Sequence, residues 1–304
     1  MLDQIAHTPN VCKNIHMPAQ SGSTKVLQNM RRGYTREVYD NLIARVREKI
    51  PDITISSDFI SGFCSETEQD HLETIDLLKK VQYEQAFMFA YSMRDKTHAQ
   101  YKLTDDVKEE EKLRRLQEVI STFRKYMIAR NQQEEGMFHL MLVEGEGRKS
   151  TAERPTLTGR TDGNKRCIIG GGSGAGAAGN GDGSSDVGSD DVNAGSGASD
   201  RSGAGSLLLL PEYTSVEALT EVLARGGRAP SAPTVTPSTV TSSTVTPSMR
   251  GVVPGDYVVV QIDECKGQTL YGHGVGITSL VHFHHAHEAL LDRGKWLEID
   301  QGVF

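Results

Sequence analysis

Residues 53–67 read ITISSDFISGFCSET, and this stretch decides the fold that the sequence predicts. Its first three residues are β-branched and favour a strand. Its end favours a helix start, because Ser65 or Thr67 can cap a helix whose first turn is rich in acids. Gly62 lies between the strand and the helix, where α/β folds place a ligand against backbone amides. The alternative is that Gly62 only makes the turn and that Glu66 only caps the helix.

The sequence around this stretch alternates between strands and helices. It predicts a short buried strand at residues 11–17, an amphipathic helix at residues 67–81 and a strong strand at residues 86–92. Such regular alternation predicts parallel strands with crossover helices, either in an α/β sheet or in part of a barrel, with the active site at the carboxyl ends of the strands. The residues expected at these ends are Gly62 and the polar residues His16, Gln20, Ser21, Asp58, Glu66, Ser92 and Arg94. The alternative for His16 and Ser92 is that each is a core polar group with its hydrogen bonds satisfied.

The carboxy-terminal part of the chain changes to a strand pattern after one long helix. That helix is predicted at residues 108–132, with its acids early and its cations late, as the helix dipole favours. The run Arg31-Arg32-Gly33 likewise marks the end of an earlier helix. Five short strands then predict a small β-barrel, at residues 138–143, 156–161, 166–169, 256–262 and 269–275.

An insertion at residues 170–250 splits this predicted barrel. Residues 170–206 are almost wholly Gly, Ser, Ala, Asp and Asn, and they bury too little surface to offset chain entropy, so they are predicted to be a flexible linker. One short helix is predicted at residues 215–225, and residues 234–248 are a second low-complexity tract. We therefore expect that removing residues 171–250 leaves the barrel no less stable.

Composition and charge limit the class of protein. The 304 residues are enough for two domains, and 37% of them are hydrophobic. The net charge of -7 excludes a basic field over the whole molecule. Any contact with RNA must therefore come from local basic patches.

The four cysteines, Cys12, Cys64, Cys167 and Cys265, are widely scattered. No C-x-x-C or C-x-x-x-C-x-x-C spacing occurs, so the sequence contains no self-sufficient zinc or iron–sulfur motif. The simplest interpretation is four free thiols in a reducing compartment. No signal-peptide core and no apolar stretch long enough to cross a bilayer is predicted.

The tail at residues 278–304 contains His282, His284, His285 and His287. Histidine clusters can bind metals, but no cysteine or carboxylate spacing supports a defined site here. The tail is predicted to be amphipathic or disordered.

Five motifs carry a resemblance to a known family: HMPAQSGS at residues 16–23, RRGYTRE at 31–37, SSDFISGFCSET at 56–67, FAYSMRDKTHA at 89–99 and LVEGEGRKS at 142–150. In this order they resemble the MiaB-type tRNA methylthiotransferases, which are radical S-adenosylmethionine (SAM) enzymes. The resemblance covers residues 10–170 and resumes at residues 255–275. It is nearest to the eukaryotic, mitochondrial branch, which includes the cyclin-dependent kinase regulatory-subunit-associated relative.

The resemblance implies an α/β architecture followed by an all-β domain. Residues 1–106 would be the carboxy-terminal half of a partial (β/α)6 radical SAM barrel, and residues 107–136 a connecting helix. Residues 137–277 would be a TRAM domain, a small RNA-binding β-barrel, interrupted by the insertion at residues 170–250. Residues 278–304 would be the tail.

The resemblance also implies an activity, cofactors and partners. Family members add a methylthio group to C2 of N6-isopentenyladenosine at tRNA position 37. They use SAM and two [4Fe–4S] clusters, and their partner is tRNA, with no membrane involved. The implied location is mitochondrial, with the cytoplasm as the alternative, and the oligomeric state is left open.

The family's functional residues carry over only where its motifs match this sequence. The residues implied on the SAM side are Gln20, Ser21, Ile60, Gly62 and Arg94. The cations on the turns of the predicted barrel, which are candidates for RNA contacts, are Arg148, Lys149, Arg160, Lys165 and Arg166.

The chain departs from the family in three respects. Cys64-Ser65 stands where bacterial members usually have Pro-Gly, the insertion that splits the TRAM domain is unusual, and the third departure is the most severe. The C-x-x-x-C-x-x-C motif and the amino-terminal cluster domain are absent from it. We therefore expect the chain to be either a fragment or a truncated product that alone lacks cluster-dependent catalysis. The alternative function is a catalytically inactive RNA-binding or interaction protein built from the remaining parts.

Overall fold

The computed structural model describes residues 1–170, 208–226 and 248–292. The first part contains helix α1 (Leu2–His7), strand β1 (Asn14–His16), helices α2 (Thr24–Asn29) and α3 (Arg36–Lys49), strand β2 (Thr54–Ser61), helix α4 (Glu68–Val81), strand β3 (Gln85–Ala90) and helices α5 (His98–Lys102) and α6 (Glu109–Gln132). The second part contains strands β4 (Phe138–Glu146), β5 (Thr156–Thr161), β6 (Arg166–Gly170) and β7 (Leu209–Pro211), helix α7 (Val216–Ala224), strands β8 (Met249–Gly251), β9 (Tyr257–Lys266) and β10 (Thr269–Thr278), and helix α8 (Leu280–Asp292).

The first part is built on a parallel three-stranded sheet in the order β1-β2-β3. In its register Ile15 lies beside Ile55, and Ser57 lies beside Ala86. The predicted parallel pairing is therefore confirmed. It follows from the alternating sequence, because a helix between two strands returns the chain to the same end of the sheet.

Helices α3, α4 and α6 supply the apolar side chains that pack against the sheet. The core residues are Tyr39, Ile43, Val46, Ile55, Phe59, Leu77, Leu78, Val119, Phe123 and Met127. The opposite face of the sheet is open over the described residues, since Phe87 and Phe89 of β3 are 43% and 55% exposed. Side chains alternate along a strand, so this open face also carries His16, Asp58 and Ile60.

The second part is a closed five-stranded barrel in the order β10-β6-β5-β4-β9. The five predicted barrel strands are confirmed. All neighbours are antiparallel except β6 and β10, which run parallel. The interior is filled by Met141, Val143, Cys167, Ile169, Val258, Val260, Ile262 and Leu270. Closure removes the free strand edges that an open sheet of this size would expose.

Part of the predicted insertion belongs to the folded barrel. Strands β7 and β8 pair with each other, and α7 confirms the short helix predicted at residues 215–225. Tyr213 and Leu219 are 4% and 0% exposed and pack with Val259 and Val275 of the barrel. The expectation that residues 171–250 can be removed without cost is thus corrected. Residues 171–207 and 227–247, where the linker and most of the second low-complexity tract were predicted, lie outside the described residues.

Helix α8 begins directly after β10 and packs against α7. Phe283, Ala286 and Leu290 are buried in the same cluster as Leu219. The amphipathic alternative for the tail is therefore confirmed for residues 280–290, because one helix face is apolar and buried.

Candidate ligand site and nucleic-acid interface

The turn after β2 is held by a hydrogen bond between Gly62 and Glu66. The Gly62 N–H donates to Glu66 Oε1 at 2.9 Å, so this amide already has a partner within the chain. Gly62 has a φ of +78°, and a Cβ there would lie 2.3 Å from Cγ of Lys112. Glycine is needed at this position for both reasons.

The cap of α4 comes from Thr67, not from Glu66. Thr67 and Asp70 form a reciprocal capping box. Asp70 also accepts a hydrogen bond from Ser23 Oγ at 2.6 Å and one from Lys25 Nζ at 3.1 Å. The prediction that Ser65 or Thr67 caps the helix is confirmed for Thr67. The alternative in which Glu66 only caps the helix is wrong, because its carboxylate points back to the Gly62 turn.

Glu66 connects this turn to α6. Its side chain is 2% exposed, and Arg115 Nη1 lies 3.0 Å from its Oε1. Burial raises the pKa of Glu66 above its ordinary value, although the Gly62 N–H and the Arg115 guanidinium act in the opposite direction. The end of β2, the start of α4 and the middle of α6 therefore form one buried polar unit.

Gln20 and Ser21, expected on the SAM side, lie beside this unit. Gln20 has a φ of +66° and extends the strand ladder: its N–H donates to the Asp58 carbonyl at 2.8 Å, and its carbonyl accepts the Ile60 N–H at 2.9 Å. Ser21 is 1% exposed, and its Oγ lies 3.3 Å from Oγ1 of Thr74 on α4. The structure thus brings Gln20 next to Ile60 and places Ser21 in the contact with α4.

A cavity of about 230 Å³ lies where the ends of α2, β2 and β3 meet the start of α5. Of the five residues expected on the SAM side, Ile60 and Arg94 line it. Arg31 and Arg32 also line it, and sequence reasoning interpreted them only as helix-ending cations. The signal that could have identified them is a pair of arginines placed after a helix end rather than within its last turn.

The open face of the sheet holds a second group of polar residues. His16 Nδ1 lies 2.9 Å from Ser56 Oγ, and His16 Nε2 lies 3.4 Å from Asp58 Oδ2. The His16 ring also meets the ring of Phe87 edge-on, with 6.2 Å between centroids. His16 is therefore a partly exposed and partnered side chain, while Ser92 is exposed beyond the end of β3.

The candidate RNA-binding cations lie at two opposite ends of the barrel. Arg148 and Lys149 are exposed in the loop between β4 and β5. Arg160 and Arg166 are exposed and directly opposite each other on β5 and β6, beside the turn at the other end of β5. Arg160 is also paired with Glu144 at 3.4 Å.

Lys165 does not belong to either surface group. It is 4% exposed, its Nζ donates to Asn131 Oδ1 at 2.8 Å, and it forms an ion pair with Glu134. The expectation that Lys165 contacts RNA is corrected, because its charge joins the end of α6 to the barrel.

The four cysteines do not fit a cluster in this structure. Cys12 is exposed, Cys64 and Cys167 are buried, and Cys265 is half-buried. Burial raises the pKa of Cys167 to about 12 and that of Cys265 to about 11, which disfavours the thiolates that iron requires. Over the described ranges, the one group of three or more His, Cys, Asp or Glu side chains close enough to share a metal contains no cysteine.

That group consists of Glu68, His71 and Glu118. Both of its carboxylates are already paired with Arg114. A metal ion would have to displace this guanidinium, so the group is better described as an ion-pair network between α4 and α6.

No helix in the described part of the chain is long and apolar enough to cross a membrane.

Comparisons with known proteins show which proteins this chain is similar to. Residues 1–78 match the Radical SAM superfamily. The chain is 52% identical over 169 residues to the mitochondrial tRNA methylthiotransferase CDK5RAP1 of Homo sapiens, and the match covers 56% of this chain and 28% of that protein. It is 53% identical over 157 residues to the CDK5RAP1-like protein of Oryza sativa subsp. japonica, with 52% and 26% covered. It is 43% identical over 169 residues to the tRNA-2-methylthio-N(6)-dimethylallyladenosine synthase of Chlorobium luteolum, with 56% and 37% covered.

These matches extend over about half of this chain. The chain itself spans well under half the length of each of these relatives.

Proposed function

We propose that this chain, a homologue of the tRNA methylthiotransferases that carries a radical SAM domain match, is the part of such an enzyme that holds SAM and tRNA. The proposed reaction adds a methylthio group to C2 of N6-isopentenyladenosine at tRNA position 37. The observation that carries the proposal is the 52% identity over 169 residues to a protein named for this activity. The proposed location is the mitochondrion, as in the name of that relative.

The finer architecture follows from the same proposal. The sheet β1-β2-β3 would be the second half of a partial (β/α)6 barrel, and its open face would line the interior of that barrel. The closed barrel β10-β6-β5-β4-β9 would be a TRAM domain. We set the proposed boundaries at 1–106, 107–136 and 137–277, and add α8 to the last unit because α8 packs on α7.

The residues present fit SAM in part. The backbone of Gln20 is used in the strand ladder and the Gly62 N–H is used by Glu66. Ser21 is buried and contacts Thr74 through its hydroxyl, so these three residues shape the site from within the fold. The half-buried side chain of Ile60 supplies apolar surface for an adenine ring. When bound, SAM and a cluster would supply the radical that an inert aromatic C–H bond requires. The cysteines do not fit a cluster, so no step is assigned to one within this chain.

A chimera tests the enzymatic proposal. This chain would replace the homologous segment of the human relative in bacteria that lack their own tRNA methylthiotransferase. We expect mass spectrometry of total tRNA to show 2-methylthio-N6-isopentenyladenosine with the chimera and none with the chain alone. An inactive chimera, together with retained binding of an anticodon stem-loop by this chain, would favour the alternative of a catalytically inactive RNA-binding protein.

Iron reconstitution tests whether the four cysteines of this chain can hold a cluster. After anaerobic incubation with iron and sulfide, we expect less than a full [4Fe–4S] complement on this chain. A full complement that disappears in the Cys64→Ala variant would contradict it.

A further inference from the structure

Three kinds of side chain line the cavity at the ends of β2 and β3, and the polar kind consists of Asn29, Thr97 and His98. The apolar group consists of Met30, Ile60, Phe63, Tyr91 and Ala99. The charged group consists of Arg31, Arg32 and Arg94. Apolar walls with a few converging cations suit a ligand that combines a flat ring with an anionic group.

The three arginines have no carboxylate partner within residues 1–170, 208–226 and 248–292. All three are exposed, and the backbone of Arg31 has a φ of +60°. Their charges are therefore not neutralised by the described part of the chain, and they meet at one cavity.

Three acids that follow the cavity residues in sequence are engaged with other groups. Asp95 accepts from Gln100 Nε2 at 2.8 Å, Asp105 pairs with Lys112 at 2.7 Å, and Asp106 accepts from the Ser65 N–H at 2.6 Å. Each of these pairs satisfies a carboxylate without using an arginine of the cavity.

Tyr91 on the cavity wall and its neighbour Cys64 add no negative charge. Burial raises the pKa of Tyr91 to about 12, and burial also raises the pKa of Cys64. Both groups are therefore neutral at pH 7. Lys112 lies 5.5 Å from the centre of the Tyr91 ring, and its charge is paired with Asp105. The positive charge of the cavity walls therefore comes from Arg31, Arg32 and Arg94.

His98 adds an unused polar atom. It lines the cavity, and its Nδ1 is buried without a hydrogen-bond partner in the described part of the chain. A buried polar atom without a partner is costly, so a ligand that supplies one gains affinity.

We infer that this cavity binds one nucleotide of the RNA substrate, with its phosphate on Arg31, Arg32 and Arg94 and its base against Tyr91 and Phe63; the inference rests on the proposed function. Guanidinium groups bind phosphate in a forked geometry, and aromatic side chains accept bases of any sequence. SAM is a poorer occupant of this cavity, because its sulfonium and ammonium groups would face three arginines. The SAM adenine proposed at Ile60 would then lie on the open face of the sheet, which also carries Ile60. Arg94, expected on the SAM side, is thereby assigned to phosphate.

Titration of the intact chain with adenosine 5′-monophosphate tests the inference. Binding is followed by the broadening of the phosphorus NMR signal and by calorimetry, with adenosine and SAM as the comparison ligands. We expect adenosine 5′-monophosphate to bind on the order of tenfold more tightly than adenosine, because hydrogen bonds to a charged group are the stronger ones. An anticodon stem-loop is expected to displace it. SAM that displaces the nucleotide with equal efficiency would overturn the assignment.

Arginine variants locate the binding. We expect Arg32→Ala combined with Arg94→Gln to remove the preference for the phosphate, and Arg31→Asn, which tolerates the positive φ, to weaken it. The control is Arg45→Ala, since Arg45 is an exposed arginine on α3 away from the cavity. Unchanged nucleotide binding in the double variant would overturn the inference, whatever the result for the stem-loop. Normal nucleotide binding without any stem-loop binding would overturn the proposed function and the RNA assignment, and would leave a site for free nucleotides.

Discussion

Glu66 and Gly62 are bound to each other across the turn that follows β2, with the Glu66 carboxylate accepting the Gly62 N–H at 2.9 Å. The same carboxylate oxygen lies 3.0 Å from Arg115 Nη1 on α6. A helix outside the sheet therefore fixes the carboxyl end of the central strand. This is the strand end at which the family resemblance places a ligand, so its position depends on α6.

Replacement of Glu66 by alanine is expected to destabilise the chain. Glu66→Ala leaves the buried Gly62 N–H without a partner and Arg115 with one acid fewer, and we expect a loss of about 2–3 kcal/mol in the free energy of unfolding. Glu66→Gln keeps an acceptor for the N–H and is expected to cost about half as much. Urea denaturation measures both. Equal stability of the alanine and glutamine variants would show that the hydrogen bond to Gly62 contributes nothing.

Sequence patterns were sufficient for the strands of the sheet and of the closed barrel and for helices α4, α6 and α7, but they did not predict α5, β7 and β8. The β-branched start of β2, the capping residue Thr67 and the alternation in the barrel strands are local features, and each predicted its element correctly. The interpretation of Glu66 failed because a glutamate at a helix start looks the same whether it caps the helix or turns back to Gly62. Only the position of Arg115, 49 residues away in sequence, decides between the two.

Long-range partners also explain what sequence reasoning missed at the candidate sites. Lys165 looked like a surface cation of a turn, but Asn131 and Glu134 bury it, and their approach depends on how α6 meets the barrel. Arg31 and Arg94 are far apart in sequence and meet at the cavity only because α2 and β3 end at the same edge of the sheet. No local pattern contains that information.

Lys165→Ala is expected to cost much more than Arg166→Ala. The lysine variant leaves Glu134, whose side chain is 17% exposed, without its cation, and we expect a loss of about 3 kcal/mol. Arg166 is exposed, and its removal is expected to change stability by less than about 0.5 kcal/mol. Thermal unfolding of the two variants, compared with the parent chain, gives the answer. Similar melting temperatures for both variants would contradict the buried ion pair.

Leu219→Ala tests whether α7 belongs to the barrel unit. Leu219 is fully buried between α7 and the barrel, and truncation of such a leucine costs about 2–5 kcal/mol. Glu217→Ala on the exposed side of the same helix is the matched control, and we expect it to be nearly neutral. If both variants unfolded at the same urea concentration as the parent, residues 208–226 would not be stabilising the barrel.

The lowered pKa of Asp70 predicts that the stability of the chain decreases at low pH. Burial alone would raise its pKa, but hydrogen bonds from Ser23 and Thr67 outweigh burial, and the pKa falls from 3.8 to about 2. A lowered pKa in the folded state means that the stabilisation is complete above pH 4 and is lost as the pH falls towards 2. We expect Asp70→Asn to abolish a decrease of about 2 kcal/mol over this range. Parallel stability curves for parent and variant between pH 5 and pH 2 would contradict the prediction.

The two ends of the barrel are expected to contribute unequally to RNA binding. Arg160 already pairs with Glu144 and donates to Asn164, so part of its charge is committed within the chain. Arg148 and Lys149 are exposed in the loop between β4 and β5, with no such pair among the described residues. We therefore expect the loop pair to contribute more to phosphate binding than the pair on β5 and β6.

Binding of an anticodon stem-loop to the intact chain, measured by fluorescence anisotropy over a range of salt concentrations, separates the two ends. Replacing Arg148 and Lys149 together by alanine is expected to weaken binding. It should also reduce the slope of log affinity against log salt by about 1–2, because a variant that has lost two phosphate contacts releases fewer counterions from the RNA. Replacing Arg160 and Arg166 should have a smaller effect of the same kind. Lys266→Ala is the control, since Lys266 is an exposed barrel cation already paired with Glu264. Circular dichroism must remain unchanged in every variant. If the loop variant bound as tightly as the parent at every salt concentration, this end of the barrel would not be holding RNA.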